Sequence, residues 1–437
     1  MPRRLQAYPM ILLLLPLVVA IVLFDRFYPK PQPPEEPQKY GFVVVGAPKA
    51  TAKCERFETR ELGIRELGFR ELGIGDPKVF LYLLRDSTKN LPSYGDTIVA
   101  TTQIEWNRQY GRAFAARYLI LPAKEHKTPL QIRLYGRLAD AGLSGDELAT
   151  VGALTLGYKD DIDPEVKRHF QASGAAHVLA VSGLHTGIIY GLLVWLQTLG
   201  GRIRPMHENK WGRRAISAVI IAVMWGYAWL TGMTPSVVRA VLMVSLFEIG
   251  RMFYRQSFSL NTIAAAAVLI LLVKPSDLWS VSFQLSFAAT AAIVVMVNGM
   301  GKVFHYRELR QTFAGRVINW VIALMLVSIA AQLGTLPISI YYFGQVSSYF
   351  LLTNLIVLPL ASVLVPCGLA TIALGGSWLG VLVGKVTWAL SWAMNHSVGR
   401  IESLPGSTIP AHASGGMVLL YYVLLLLFCT FLSKKYN

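Results

Sequence analysis

The sequence predicts a polytopic α-helical membrane protein with a small external β-barrel (OB-like) domain near the N-terminus. Of its 437 residues, 54% are hydrophobic and only 15% are charged, which is too apolar for an ordinary soluble protein of this size. Several apolar runs are long enough to cross a hydrocarbon core of about 30 Å. Residues 38–126 are instead polar and contain short strand-like segments. We therefore expect an external β-domain followed by a membrane domain.

The membrane-crossing runs are predicted from their length and apolar character. They lie near residues 9–25, 174–200, 214–231, 235–250, 258–273, 277–297, 317–343, 349–374, 378–397 and 416–432. The runs 235–250 and 258–273 are short, so their full crossing is left open. The first run follows Arg3 and Arg4 and lacks a small-residue cleavage site, so residues 1–28 are interpreted as an uncleaved anchor rather than a signal peptide.

The distribution of basic residues predicts the orientation of the chain. Loops on the cytoplasmic side of membrane proteins are enriched in Lys and Arg. Arg3 and Arg4 place the N-terminus in the cytoplasm, which puts residues 29–173 outside and the C-terminus inside. The later basic loops then all fall inside: Arg202, Arg204, Lys210, Arg213 and Arg214; Arg251 and Arg255; Lys302, Arg307, Arg310 and Arg316; Lys434 and Lys435. Topology therefore explains most of the net charge of +16, which does not by itself indicate a nucleic-acid partner.

The external region begins with residues 29–37, a proline-rich and therefore stiff spacer. Within the β-domain at 38–126, residues 42–45, 79–84 and 97–102 have strand-like composition and are separated by turn signals. Short strands in about 90 residues fit a small barrel. An OB-fold is one option, and another small β-domain is the alternative.

Residues 60–74 repeat the pattern Arg-Glu-Leu-Gly-x three times. A period of five matches neither a helix nor a strand. We interpret the repeat as an expanded loop between strands, with a ligand-binding repeat as the alternative.

Residues 127–173 show amphipathic helical patterns, notably Leu138–Leu156 and Pro164–Ala172. Asp163 and Pro164 suit a cap and first turn. We expect these helices to lie along the outer membrane surface before the membrane domain, residues 174–437.

The first polar cluster of the membrane domain is His177-Val-Leu-Ala-Val-Ser182-Gly-Leu-His185-Thr-Gly187. If the whole segment is helical, His177 and His185 share one broad side and Ser182 is an i,i+3 neighbour of His185. Gly183, Gly187 and Gly191 form a stripe that suits close helix packing. The polar side chains either hydrogen-bond across the bundle or line an aqueous path.

Catalytic and metal chemistry are poorly matched to this cluster. A Ser-His hydrolase is disfavoured because no G-x-S-x-G elbow or third group accompanies Ser182 and His185. Two histidines without carboxylates make a weak metal site, and Cys54, Cys367 and Cys429 have no zinc or disulfide spacing. We expect no enzymatic activity, no cofactor and no metal.

The second cluster runs from Thr231 to Ala240. Pro235 suits the first turn of a helix with Thr234 as its cap. Arg239 then lies about one turn into an apolar segment, where an uncompensated arginine costs roughly 3 kcal/mol or more. It either snorkels to the outer interface or contacts phosphate, which a guanidinium suits.

The third and fourth clusters bring amides and hydroxyls into spans. The third contains Ser282, Gln284 and Ser286, and the fourth contains Gln332 and Pro337, followed by Asn354. Pro337, Pro359 and Pro366 are expected to kink or break their helices, which is tolerated where protein or water covers the freed backbone. Any one cluster suits ordinary packing, but four polar, broken segments favour a cavity or pore.

Aromatic residues near the span ends have two interpretations. They are Trp225, Tyr227, Trp229, Trp279, Tyr341, Tyr342, Trp388 and Trp392. We favour the interpretation that they form aromatic belts at the membrane interfaces, and stacking on nucleic-acid bases is the alternative.

The four clusters, in this order, resemble the motifs of the ComEC competence family. The strongest match is His177 to Gly187, followed by Gly232 to Ala240, Phe283 to Phe287, and Gln332 to Pro337 with Asn354. The resemblance implies a channel in the bacterial inner membrane that passes one strand of transforming DNA into the cytoplasm. It also implies that the OB-like domain meets the DNA outside.

The resemblance further implies partners. We expect single-stranded DNA, membrane lipid, an external DNA receptor and a cytosolic ATPase motor, because no P-loop motif is present. Many members carry a C-terminal metallo-β-lactamase-like domain, and this chain, which has no H-x-H-x-D-H string, is expected to lack it. A separate nuclease and a homo-oligomer are left open.

Two rival functions remain. One is a transporter of a small polar solute, with the clusters forming a midplane site. The other is a non-transporting membrane scaffold with a ligand-binding β-domain. On the channel hypothesis, the path is bordered by His177, Ser182, His185, Arg239, Gln284, Ser286, Gln332 and Asn354.

Overall fold

The fold is known from a computed structural model that describes most of the chain. The described residues are 9–27, 38–44, 49–50, 54–62, 78–84, 97–102, 104–106, 111–115, 118–121, 130–179, 181–200, 210–253, 260–303 and 312–435. The proline-rich spacer 29–37 and most of the Arg-Glu-Leu-Gly repeat, residues 63–74, lie outside them.

The chain forms two compact units. One consists of residues 13–129 and 268–280, and the other of residues 1–12, 130–267 and 281–437.

The first unit contains a mixed β-sheet. Its strands are β1 (Gln38–Val44), β2 (Lys49–Ala50), β3 (Cys54–Leu62), β4 (Lys78–Leu84), β5 (Thr97–Thr102), β6 (Ile104–Trp106), β7 (Gly111–Ala115) and β8 (Tyr118–Leu121). The order is β6-β7-β4-β3-β1-β5-β8, and β2 pairs with β3. The β4–β7 pair is parallel and the other pairs are antiparallel. The predicted strands 42–45, 79–84 and 97–102 correspond to β1, β4 and β5.

Strand formation follows from alternating burial. Leu81 and Leu83 are buried on β4 while Tyr82 between them is half-buried, and Ile98 and Ala100 are buried at the same two-residue spacing on β5. The strand pairings of the described residues form an open path, with no ladder joining its two ends. A small sheet is therefore present, but the predicted OB-like barrel is not supported by these pairings.

The remainder of the described chain is mostly helical. The helices are α1 (Pro9–Phe27), α2 (Leu130–Asp140), α3 (Gly145–Leu156), α4 (Pro164–Ala172), α5 (Gly183–Gly200), α6 (Lys210–Leu230), α7 (Pro235–Met252), α8 (Leu260–Val273), α9 (Val281–Val303), α10 (Phe313–Phe343), α11 (Phe350–Leu374), α12 (Trp378–Glu402) and α13 (Gly415–Lys435). The strands β9 (Gln345–Ser347) and β10 (Thr408–Pro410) form a separate antiparallel pair.

Local signals set several helix ends. Asp163 caps α4 by accepting the Glu165 backbone N–H at 2.7 Å, and Pro164 occupies the first turn, as predicted. Pro235 likewise begins α7, although Thr234 makes no side-chain capping bond. Gly157 ends α3 with a φ of 72°, a left-handed conformation that favours glycine.

Helix α3 differs from the predicted amphipathic surface helix. Eight of its 12 residues are buried. A Cβ on Gly368 of α11 would lie 2.6 Å from Thr155 Cγ2, and the Ser391 hydroxyl of α12 donates to the Glu147 carbonyl at 3.1 Å. Helix α3 therefore packs into the core of the helical unit, against α11 and α12.

Two of the described helices are long and apolar enough to cross a membrane. They are α10 over Ala314–Phe343 and α11 over Phe350–Leu374. Shorter apolar stretches occur at Leu13–Leu23, Leu260–Val273, Val281–Val297 and Gly415–Leu425. Both long helices continue through their internal prolines, which are Pro337 in α10 and Pro359 and Pro366 in α11. Of the predicted kink or break, a break therefore does not occur at any of the three prolines.

Candidate functional site

The first polar cluster begins as turns and becomes helical only at Gly183. His177 lies in the turn between α4 and α5, and its side chain is exposed. Ser182 immediately precedes α5, and its Oγ accepts the Leu184 backbone N–H at 3.3 Å. A hydroxyl in this position stabilises a helix N-terminus. The segment is therefore not one continuous helix, and of His177, Ser182 and His185 only His185 lies within α5.

His185 is completely buried in the first turn of α5. Its Nδ1 accepts the Ser182 backbone N–H at 3.3 Å and lies 3.3 Å from the Ser182 Oγ. Its Nε2 is also buried and has no hydrogen-bond partner among the residues that the structure describes. A buried polar atom without a partner is uncommon in native proteins and calls for an explanation.

The glycine stripe on α5 is exposed rather than packed. A Cβ on Gly187 or Gly191 would meet no atom within 4 Å, and one on Gly183 would only touch the Ala240 Cβ at 3.9 Å. The predicted close helix packing along this stripe is not observed. Close packing occurs instead at Gly334, where an added Cβ would lie 2.7 Å from the Ala288 carbonyl of α9.

Arg239 joins the second cluster to the third. Its side chain is only 2% exposed. Its Nη2 donates to the Ser282 carbonyl at 2.9 Å and to the Ser282 Oγ at 2.6 Å, across 43 residues of sequence. Ser282 itself is exposed. The guanidinium is therefore held at the start of α9 rather than snorkelling into solvent.

A buried carboxylate network lies further along α7, centred on Glu248. Glu248 is completely buried. Its Oε1 accepts the Tyr190 hydroxyl of α5 at 2.6 Å and Arg251 Nη1 at 2.8 Å, and its Oε2 accepts the Ser217 hydroxyl of α6 at 2.6 Å. The network thus connects α5, α6 and α7. The sequence indicates that Glu248, near the inner end of its span, could pair with a basic loop, and Arg251 supplies such a partner three residues on. Tyr190 and Ser217 are too distant in sequence to be identified from spacing.

The fourth cluster is stabilised by two tyrosines from α13. Proline lacks an N–H, so Pro337 leaves the carbonyl four residues earlier without its helical donor. The Tyr421 hydroxyl donates to that carbonyl, on Leu333, at 3.0 Å, and the Tyr422 hydroxyl donates to the Gly334 carbonyl at 2.7 Å. This replacement explains why α10 continues through Pro337.

The amide-bearing residues occupy separate helices. Gln284 and Ser286 are half-buried on α9, and Gln332 is half-buried on α10. Asn354 is the fifth residue of α11 and is 8% exposed, and its Oδ1 has no partner among the described residues.

Helix contacts place the four clusters in one connected arrangement. Helix α5 touches α7 through Gly183, and Glu248 joins the same two helices. The Arg239–Ser282 bonds connect α7 to α9, and the close approach at Gly334 connects α9 to α10. The Thr353 hydroxyl, next to Asn354, donates to the Ser173 carbonyl at 2.8 Å. This bond connects α11 to the turn that precedes the first cluster.

A separate acidic cleft lies among α3, α4 and α12. Its volume is about 320 Å³, and it is lined by Asp146, Glu147, Asp163, Glu165, Val166, His169, Trp392, Asn395 and His396. Its four carboxylates are suited to a cationic group and repel phosphate. Among the described residues, no group of three or more His, Cys, Asp or Glu is arranged to hold a metal ion.

Comparison with known proteins gives a family match. A family model described as "Competence protein" matches residues 154–435. ComE operon protein 3 of Bacillus subtilis is 28% identical over 298 residues, which is 67% of this chain and 35% of that protein. Competence protein ComA of Neisseria gonorrhoeae is 30% identical over 159 residues, 36% of this chain and 22% of that protein. The uncharacterized protein YcaI of Escherichia coli is 26% identical over 214 residues, 49% of this chain and 27% of that protein.

These matches span about a third or less of the length of those curated relatives. No solved structure matches the chain.

Proposed function

Because the chain belongs to the competence protein family, we propose that it is a membrane protein of DNA uptake that conducts a single DNA strand into the cytoplasm. The observation that carries this proposal is the connected arrangement of the four polar clusters. They lie on α5, α7, α9 and α10, within the region matched to the family. Polar side chains in membrane segments are costly and persist where they have a function or a packing role.

The chemistry of the clusters suits a nucleic-acid path. A single strand carries one negative charge per nucleotide, so it needs a wet route with hydrogen-bonding walls. Dense arginine would hold the strand too tightly, because phosphate neutralisation dominates nucleic-acid affinity. The proposed path has one arginine among neutral polar groups. Its proposed lining residues are His177, Ser182, His185, Arg239, Gln284, Ser286, Gln332 and Asn354.

The membrane placement is part of the same proposal. In α10, Trp320 and Tyr342 are both exposed, and 22 residues of helix separate them by about 33 Å. This distance is close to the hydrocarbon thickness and suits an aromatic belt at each interface. We assign the protein to the bacterial inner membrane with both termini cytoplasmic and residues 29–173 external.

The β-sheet unit is proposed to meet incoming DNA outside the membrane. The exposed edges and faces of this open, mostly antiparallel sheet are the proposed contact surface for DNA. An external DNA receptor would deliver the DNA, and a cytosolic ATPase would pull the strand. Strand degradation is assigned to a separate nuclease, and a homo-oligomer is compatible with the proposal.

Replacement of Arg239 by Ala tests the proposed DNA path. On this proposal the variant loses a hydrogen bond between the guanidinium and a phosphate of the strand, and a hydrogen bond to a charged group contributes about 1.5–3 kcal/mol. We therefore expect single-strand flux into proteoliposomes to fall by about tenfold or more. Arg214→Ala is the matched control, because Arg214 is exposed and lies over the Trp211 ring at 5.5 Å. Equal membrane levels must be verified by immunoblot. Normal flux and normal transformation in the Arg239 variant would refute its role.

The acidic cleft favours a second candidate function, transport of a small cationic solute. Asp146 and Glu147 of α3 face Asp163 and Glu165 of α4 across it. The same proteoliposomes separate the two functions, since a solute transporter passes labelled polyamine but no DNA strand. A scaffold passes neither, and its β-sheet unit would bind a partner without any flux.

A further inference from the structure

The protonation of His185 can be deduced from its contacts. A backbone N–H can only donate, so the Nδ1 that receives the Ser182 N–H at 3.3 Å carries no proton. A neutral imidazole has one ring proton, which must then be on Nε2. Nε2 is therefore a hydrogen-bond donor.

This donor has no acceptor among the described residues. Nε2 is buried, and the whole His185 side chain has an exposure of 0%. Buried donors in native proteins are nearly always paired with protein or an ordered molecule. The unpaired Nε2–H therefore indicates an oxygen acceptor that this chain does not supply.

The surroundings of His185 favour a negatively charged acceptor. It lies in the first turn of α5, a helix of 18 residues whose N-terminus carries a partial positive charge. Lys159 acts electrostatically on its imidazole and has an exposed side chain, so a positive charge lies between the surface and the buried donor.

We propose that the N-terminal end of α5 is a phosphate-binding site. His185 Nε2–H donates to a phosphate oxygen, and Lys159 supplies a positive charge at its entrance. Because His185 is fully buried in this structure, phosphate reaches Nε2 only after a local rearrangement around the start of α5. The inference rests on the proposed function in one respect: the DNA strand is taken to supply that phosphate.

Two substitutions at His185 separate the roles of its nitrogens. His185→Gln keeps an amide N–H near the position of Nε2 and loses the acceptor at Nδ1. His185→Asn keeps an acceptor for the Ser182 N–H and loses the outer donor. We expect the Gln variant to bind inorganic phosphate within about threefold of the wild-type affinity and the Asn variant at least about tenfold more weakly.

Binding is measured on the full chain in nanodiscs containing ¹⁵N-labelled histidine. Inorganic phosphate is titrated while the Nε2 resonance of His185 is followed, and the resonance is assigned by its loss in the Asn variant. Phosphatidylcholine and phosphatidylglycerol nanodiscs distinguish added phosphate from a lipid headgroup. A response without added phosphate, only in phosphatidylglycerol, would support the site with a lipid as its phosphate source.

Equal phosphate affinity in the Asn variant and the wild type would overturn the site, as would a wild type that shows no saturable response. If the Asn variant does not fold, Lys159→Gln provides the second test, with an expected weakening of about threefold. Unchanged affinity in the Lys159 variant would then count against the site. Phosphate binding with the expected pattern, but no DNA flux in proteoliposomes, would preserve the site and refute the proposed DNA path.

Discussion

Removal of the Glu248 carboxylate is expected to be among the most damaging single changes in the helical unit. The buried carboxylate accepts three hydrogen bonds, from Tyr190, Ser217 and Arg251. The Arg251 side chain is only 20% exposed, so loss of its partner leaves a largely buried cation unpaired. Breaking a buried ion pair by removing one member costs about 3–5 kcal/mol. We expect Glu248→Ala to lower the free energy of unfolding by that amount.

Three milder substitutions measure how much each contact of the network contributes to the free energy of unfolding. Tyr190→Phe and Ser217→Ala each remove one hydrogen bond to a charged acceptor, so each should cost about 1.5–3 kcal/mol, with the lower value applying if water enters. Glu248→Gln keeps the shape and one carbonyl acceptor, so we expect it to lie between these variants and Glu248→Ala.

The assay is reversible unfolding of the full chain in mixed micelles, followed by tryptophan fluorescence. Glu165→Ala is the control, because its side chain is 68% exposed and a surface substitution costs within about 0.5 kcal/mol. A cost below about 1 kcal/mol for Glu248→Ala would refute the assignment of a stabilising network. Equal costs for the Gln and Ala variants would show that the charge has no role.

Two further predictions concern α10. Tyr421→Phe and Tyr422→Phe should each destabilise the protein by about 1 kcal/mol in the same unfolding assay, since each removes a hydrogen bond to a carbonyl of α10, and Tyr421→Phe leaves the Leu333 carbonyl unpaired. In a Pro337→Ala background, the Tyr421 effect should shrink, because the restored N–H bonds the same carbonyl; an unchanged cost would contradict this. Gly334→Ala should destabilise by about 1–3 kcal/mol through overpacking, whereas Gly187→Ala should stabilise by up to about 1 kcal/mol. The opposite order of melting temperatures would show that the packing is misassigned.

Features that depend on neighbouring residues could be predicted from the sequence. The strands at 79–84 and 97–102 followed from composition and turn signals, and buried residues recur in them at a spacing of two. The starts of α4 and α7 followed from Asp163-Pro164 and Pro235, because a cap or a proline acts on the residues beside it. The family also followed from motif order, and the match over residues 154–435 confirms it.

Features that depend on the rotation of one helix against another could not be predicted from the sequence. The spacing of Gly183, Gly187 and Gly191 defines a face, but spacing does not say whether a partner covers that face. In the structure no helix packs closely on this glycine face, and the close helix contact is made instead by Gly334 against α9. The amphipathic prediction for α3 failed similarly, because α11 and α12 cover the side that was expected to face outward.

The sequence by itself determined the class of this protein: an apolar helical chain with a small sheet, four polar clusters and the competence family. Each of these depends on composition or on patterns within a few residues. Only the tertiary structure decided which polar groups meet, as when Arg239 reaches Ser282 and Glu248 joins three helices. The physical reason is that a buried charge is stabilised by whichever donors or acceptors the packed helices bring near it, and that choice depends on helix orientation rather than on sequence spacing.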